Sequence, residues 1–263
     1  NGMKLMTARS SFLRFLTRPA SGRDERARPQ EGRPHRVASK GELTGMDRRG
    51  FFGAAAALGL AIGGSVGLLG APAPALAEGT ALPLDQLMAG EALPDIVLGK
   101  DDAPVTIVEY ASMTCSHCAA FHANTYPELT KKYIDTGKVR FILREFPLDP
   151  LAMAGFMLAR CAGDDKRTAI VDLLFNQQKA WAFSDKPVEA LANLVKQAGI
   201  TQESFEACLK NQDLYEKIGK IRDRGAEKFG VKATPTFFIN GKKESGELSV
   251  EKLDQLLDPL VKG

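Results

Sequence analysis

Two cysteines two residues apart, in Cys115-Ser116-His117-Cys118, have the types and spacing for reversible thiol chemistry. The thiolate is the reactive form of cysteine, and it is favoured where unpaired backbone N–H groups gather at the start of a helix. Val105 to Tyr110 reads as a strand and the residues after the motif as a helix, so Cys115 falls at a helix N-terminus. The two-residue spacing puts Cys118 one turn on, within bonding reach. The pattern predicts an exposed nucleophile at Cys115 and a more buried resolving thiol at Cys118. His117 is expected to add a polar, partly cationic neighbour that stabilises the thiolate further. A stabilised thiolate favours the dithiol, which makes the corresponding disulfide a strong oxidant.

Other uses of the same spacing are less well served. A c-type haem site needs His directly after the second cysteine, where this chain has Ala119. A zinc site needs four ligands. Cys115, Cys118 and His122 are neighbours in sequence, but no second Cys-x-x-Cys exists, and residues 78–263 hold no histidines besides His117 and His122. No cofactor and no metal are expected, and a non-enzymatic metal-binding module on Cys115, Cys118 and His122 is the alternative from another class. His122, one turn beyond Cys118, reads as an ordinary, partly exposed histidine.

Further along, Ala233-Thr234-Pro235-Thr236 stands directly before a strand, a setting compatible with a cis peptide in a tight turn. The chain has four cysteines, an even number that suggests two disulfides in an oxidising compartment, with three connectivities open in principle. Cys161 and Cys208 fall on apolar faces of two different predicted helices and are read as a structural disulfide. Closing that loop is worth roughly 4 kcal/mol in the chain-entropy description.

These residues must be held by an ordered set of elements. Residues 78–94 lack periodicity and read as an N-terminal arm. Asp95 to Gly99 is a short edge strand, and Asp101 to Pro104 a turn. Val105 to Tyr110 is a strand with Val105, Ile107 and Glu109 on one side. A helix runs from the cysteines to about Thr136, kinked at Pro127, and Val139 to Phe146 forms a second strand. Strand, helix, strand at this spacing predicts a parallel pair. From about 150 to 229 the pattern is helical, with shared faces at Leu151, Ala154, Leu158 and Cys161, and at Phe205, Cys208 and Leu209. Thr236 to Ile239 returns to strand, Asn240-Gly241 is a hairpin turn, and an antiparallel strand should follow. Ser249 caps a closing helix with the stripe Val250, Leu253, Leu257 and Leu260. The order β-α-β, helical block, β-β-α is an α/β, thioredoxin-like fold with a helical insertion.

The first 77 residues read as addressing rather than fold. Arg48-Arg49 precedes Phe51-Phe52 and an Ala/Gly/Leu run, and Ala75-Leu76-Ala77 supplies a small-x-small cleavage site. The arrangement looks like a twin-arginine signal over 46–77, with Asp47 and Gly53 as departures that leave the export route open. An uncleaved anchor is the alternative. Residues 1–45 read as disordered or as an upstream artefact. Residues 1–77 carry twelve basic and five acidic side chains, a net +7, against twenty-three and twenty-seven, a net −4, over 78–263. The domain over 78–263 is therefore mildly acidic, which argues against nucleic acid as a partner.

From Val105 to Gly263 the chain resembles the DsbA-like branch of the thioredoxin superfamily. The resemblance rests on Val108-Glu109-Tyr110 ahead of the Cys-Ser-His-Cys motif, on the helical insertion, and on the run from Ala233 to Gly241. It implies thiol–disulfide exchange on newly exported protein substrates in the periplasm, with re-oxidation by a DsbB-like membrane partner. It also implies that Glu109, six residues before Cys115, helps move protons to and from the buried thiol, and that Thr234 and Pro235 hold the substrate backbone. Ser116 and Thr234 depart from the Pro and Val of the best-known oxidases. An isomerase or reductase of the same fold is thus the competing direction. The short arm leaves no room for a dimerisation domain, so a monomer is expected.

Overall fold

The computed structural model describes residues 81–261. Its centre is a five-stranded sheet in the order β1-β3-β2-β4-β5. The strands are β1 (Ile96–Leu98), β2 (Val105–Ala111), β3 (Val139–Glu145), β4 (Thr236–Ile239) and β5 (Lys242–Ser245). The β2 and β3 strands pair in parallel, Val105 opposite Val139, while every other pairing is antiparallel. The hairpin turn between β4 and β5 places both Asn240 and Gly241 at positive φ, 45° and 84°, as a two-residue primed turn requires. The Asn240 side chain accepts the Thr106 N–H at 2.8 Å, tying the turn to β2. The thioredoxin-like arrangement expected from the sequence is the one observed.

The helices are α1 (Leu84–Met88), α2 (Ser116–Asn124), α3 (Tyr126–Leu129), α4 (Pro150–Cys161), α5 (Asp164–Asn176), α6 (Gln178–Ala182), α7 (Pro187–Gln197), α8 (Gln202–Leu209), α9 (Gln212–Phe229) and α10 (Val250–Val261). Those from α4 to α9 form the insertion. The continuous helix expected from the cysteines to Thr136 is broken: α2 ends at Asn124, α3 follows, and a π turn covers Thr130–Ile134. Pro127 lacks an N–H and crowds the preceding turn, so the chain restarts with Pro127 in the first turn of α3. Ser249 caps α10 through the Lys252 N–H. Leu253 and Leu257 are buried, but Leu260 near the helix end is exposed.

Strand β2 is buried along its whole length because both faces of the sheet are covered. Val105, Ile107 and Ala111 join the larger core with α2, α4, α5 and α10, while Val108 and Tyr110 join a second core under α9 and the N-terminal arm. The arm is more ordered than its sequence suggests. Leu87 of α1 is fully buried, the Leu82 N–H donates to the Gly241 carbonyl, and buried Arg144 of β3 donates to the Leu87 carbonyl and to Asp95. Helix α9 lies so close that a Cβ at Gly225 would come within 2.7 Å of the Tyr110 ring. The signal expected over 46–77, and the rest of residues 1–77, lie outside the described residues.

Candidate active site

Cys115 is the N-cap of α2, in extended conformation, and Cys118 lies in the first turn. The loop that presents them is held from several directions. Buried Gln178 of α6 donates from its amide to the carbonyls of Met113 and Cys115, both at 2.9 Å. Asp149, the N-cap of α4, accepts from the Ala152 N–H and the Thr114 hydroxyl. The Cys115 thiol is half-buried and donates to the Thr234 carbonyl at 3.2 Å, while the Cys118 thiol is fully buried. The Thr234–Pro235 peptide is cis, so the loop before β4 lies beside the sulfur.

The two thiols differ sharply in acidity. The Cys115 thiol is lowered from about 9.0 to about 5, chiefly because Cys118 donates a hydrogen bond to its sulfur. Burial opposes this, and the Thr234 side chain and the backbone N–H groups of Cys118 and His117 assist. The Thr234 hydroxyl has no hydrogen-bond partner among the described residues while Cys115 is a thiol, so it is available to donate once the sulfur ionises. Burial pushes the Cys118 thiol strongly upward, and the sulfur of Cys115 and the charge of Glu109 push it further. A half-exposed thiolate beside a buried thiol is what nucleophilic attack followed by resolution requires.

This geometry accords with the comparisons. The profile of the family described as Thioredoxin matches residues 91–259. The chain belongs to the thioredoxin family. Its DsbA-like character within that family follows from its relatives. The Rickettsia conorii protein named "Putative protein-disulfide oxidoreductase RC0029" is 36% identical over 165 residues, covering 62% of this chain and 59% of the relative. The crystal structure of Wolbachia pipientis alpha-DsbA1 is similar with a TM-score of 0.62 at 30% identity, over 68% of this chain and 96% of that one. That of oxidised BdbD from Bacillus subtilis has a TM-score of 0.57 at 25% identity, over 64% and 94%. The matched region thus spans about three fifths of the length of the Rickettsia relative.

The sequence-predicted residues are distributed unequally around the thioredoxin motif. Cys115, Cys118, Thr234 and Pro235 come together, and Glu109 is wholly buried on the sheet beneath them. His117 contributes differently from expectation. Its backbone N–H favours the thiolate, while its ring is largely exposed, with Nδ1 3.5 Å from Glu247. A side chain in the first turn of α2, one residue off the buried face, faces solvent and Glu247 of the β5–α10 loop.

His122 departs furthest from the sequence reading. It is buried rather than partly exposed, its Nε2 lies 2.9 Å from Glu109 Oε2, and its ring stacks on Phe175 at 4.2 Å. It is therefore committed to Glu109. Among the described residues no group of three His, Cys, Asp or Glu side chains is placed to hold a metal. Sequence reasoning also missed Gln178, a polar residue in a helix with no motif around it. Its burial is decided by where α6 docks.

Cys161 and Cys208 are disulfide-bonded across 47 residues with their Cα atoms 6.1 Å apart. Cys208 is buried, but Cys161, the last residue of α4, is exposed rather than on the apolar face expected of it.

Proposed function

We propose that the chain is an exported protein-disulfide oxidoreductase that donates a Cys115–Cys118 disulfide to newly exported proteins. A substrate thiolate attacks Cys115, the more accessible sulfur, and Cys118 leaves. A second substrate thiolate then attacks the mixed disulfide at the substrate sulfur, releasing oxidised substrate and the Cys115 thiolate. Thr234 and Pro235 hold the substrate backbone beside the sulfur, Glu109 serves proton transfer at Cys118, and His117 supports the thiolate. Cys161 and Cys208 staple the insertion. The observation that carries this reading is the Cys115 sulfur at the start of α2, half-exposed and lowered to about 5. A thiolate stabilised that far makes the reduced form favourable, so electrons flow into the protein.

On the same reading residues 46–77 direct export to the periplasm, residues 78–263 form a monomeric domain, and a DsbB-like membrane partner restores the disulfide. Among the described residues no helix is long and apolar enough to cross a membrane. Equilibration with glutathione buffers tests the direction. A reduction potential near about −120 mV fits a disulfide donor, whereas one near about −270 mV makes the protein a reductant and overturns donation.

A further inference from the structure

Thiol–disulfide exchange at this motif has a proton problem. Cys118 is fully buried. When the disulfide opens it leaves as a thiolate and must gain a proton, and on re-oxidation it must lose one. In the mixed disulfide the substrate covers the Cys115 side, so a route from another direction is needed.

Near Cys118 lies a pair of side chains with an unpartnered polar atom at each end. Glu109 and His122 meet through Oε2 and Nε2 at 2.9 Å. The remaining atom of each, Glu109 Oε1 and His122 Nδ1, is buried and has no hydrogen-bond partner among the described residues. Buried unpartnered polar atoms are rare in folded proteins and require an explanation. On one side, Glu109 is near enough for its charge to act on Cys118. On the other, His122 lines a cleft of about 410 Å³ together with Tyr126, Thr130, Lys131, Asp135 and Asp172. That cleft adjoins the larger groove of about 820 Å³ along Ser116, Ala119 and Phe183 beside the motif, with Ala123 and Asn176 shared between them. The His122 ring is fixed by its stack on Phe175 and by Tyr126, 4.8 Å away.

We propose that His122 connects Cys118 to this side cleft, so that a proton passes between solvent and the buried thiol through His122 and Glu109. The inference rests on dithiol–disulfide exchange at Cys115 and Cys118, but not on its direction. Against a carboxylate the Nε2 carries the hydrogen, which leaves Nδ1 of the neutral ring as an acceptor. On reduction a water admitted from the cleft gives a proton to the buried Nδ1, Nε2 gives its proton to Glu109, and Glu109 gives it to the Cys118 thiolate. The ring is then the opposite tautomer. On re-oxidation Cys118 returns the proton through Glu109 to Nε2, and Nδ1 releases its own to the cleft. One full cycle therefore restores the starting tautomer, with no net proton left on the relay. The groups that face His122 are Glu109 from β2, Tyr126 of α3 and Asp172 of α5, with Lys131 and Asp135 at the cleft wall. His122 acts through Glu109 and is a positioning residue.

Single-turnover reduction of the disulfide by dithiothreitol between pH 5 and 9 tests this, alongside the alkylation rate of Cys115 in the reduced protein. His122→Gln should slow reduction by roughly 100-fold, the scale of a lost proton-transfer group, and flatten its pH profile. Alkylation of Cys115 should stay within about twofold, since the N-terminus of α2 still stabilises the thiolate. Added imidazole should restore the rate of His122→Ala. Wild-type rates and pH profile in His122→Gln overturn the relay. A parallel loss of Cys115 alkylation without imidazole rescue also overturns it, because the role is then structural. If His122→Gln does not fold, Lys131→Trp, an exposed substitution at the rim of the side cleft alone, takes its place: a slowed, flattened profile supports the relay and an unchanged one overturns it. Failure of the unsubstituted protein to react with dithiothreitol is a separate result, which removes the exchange reading itself.

Discussion

The two cysteine pairs make an instructive contrast. Each combines a more exposed cysteine with a buried one: Cys115 with Cys118, and Cys161 with Cys208. Exposure therefore does not separate the pair proposed to exchange from the disulfide-bonded pair in this molecule. Helix position does. Cys115 caps the start of α2, where N–H groups converge on the sulfur, whereas Cys161 is the last residue of α4 and Cys208 the penultimate residue of α8. The positive end of a helix favours a thiolate and the negative end disfavours it. A pair held at two C-termini has no stabilised leaving thiolate, so its disulfide should resist the exchange that the first pair is poised to undergo.

The strongest way to break this contrast is at the first pair. Cys115→Ser should abolish thiol oxidation of a reduced test protein, while Cys118→Ser should trap mixed disulfides visible on non-reducing gels. A Cys115→Ser variant with wild-type activity would show that the nucleophile lies elsewhere. Removing the second pair, as Cys161→Ala with Cys208→Ala, should cost roughly 4 kcal/mol in urea unfolding and leave the exchange rate within about twofold. Graded glutathione should reduce Cys115–Cys118 well before Cys161–Cys208. Reversal of that order would sink the dipole explanation.

Acidity sharpens the contrast at a smaller scale. Alkylation of Cys115 should follow a titration centred near pH 5. Its folded value lies below the unfolded one of about 9.0, so ionisation stabilises the reduced fold. That stabilisation should grow from about pH 5 to about pH 9 and disappear as pH falls through 5. Urea unfolding of reduced and oxidised protein across this range checks the sign. Thr234→Val, which removes the hydroxyl donor, should move the alkylation midpoint upward. The smallest effect is expected from His117→Ala, because the backbone N–H survives and the lost ring faces Glu247. A larger rise than that of Thr234→Val would mean that the imidazole, not the backbone, supports the thiolate.

Legibility in the sequence followed the range of the interactions. The strand-to-helix entry at Cys115, the Asn240-Gly241 hairpin and the Ser249 cap each depend on a few adjacent residues and could be read directly. The N-terminal arm could not. Helix α1 has five residues, too short to show a period, and is held by distant groups: Arg144 on its Leu87 carbonyl and Arg224 on its Gln86 and Ala89 carbonyls. The break before α3 was half legible, since Pro127 marked the disturbance but not whether the helix bends or restarts.

The sequence by itself determined the chemistry. Two thiols in register at a helix start, with a Thr-Pro turn to meet them, follow from local order and from the geometry of one helical turn. Tertiary structure decided what surrounds that chemistry. Glu109 could have been a surface carboxylate at a strand end and His122 an exposed ring. His122 is buried because α5 of the insertion, some fifty residues further along the chain, lays Phe175 over the imidazole, and Glu109 is buried with it as its partner on β2. Periodicity along one segment carries no information about what packs on it, so the burial of this pair, and with it the side entrance to Cys118, is a property of the assembled fold.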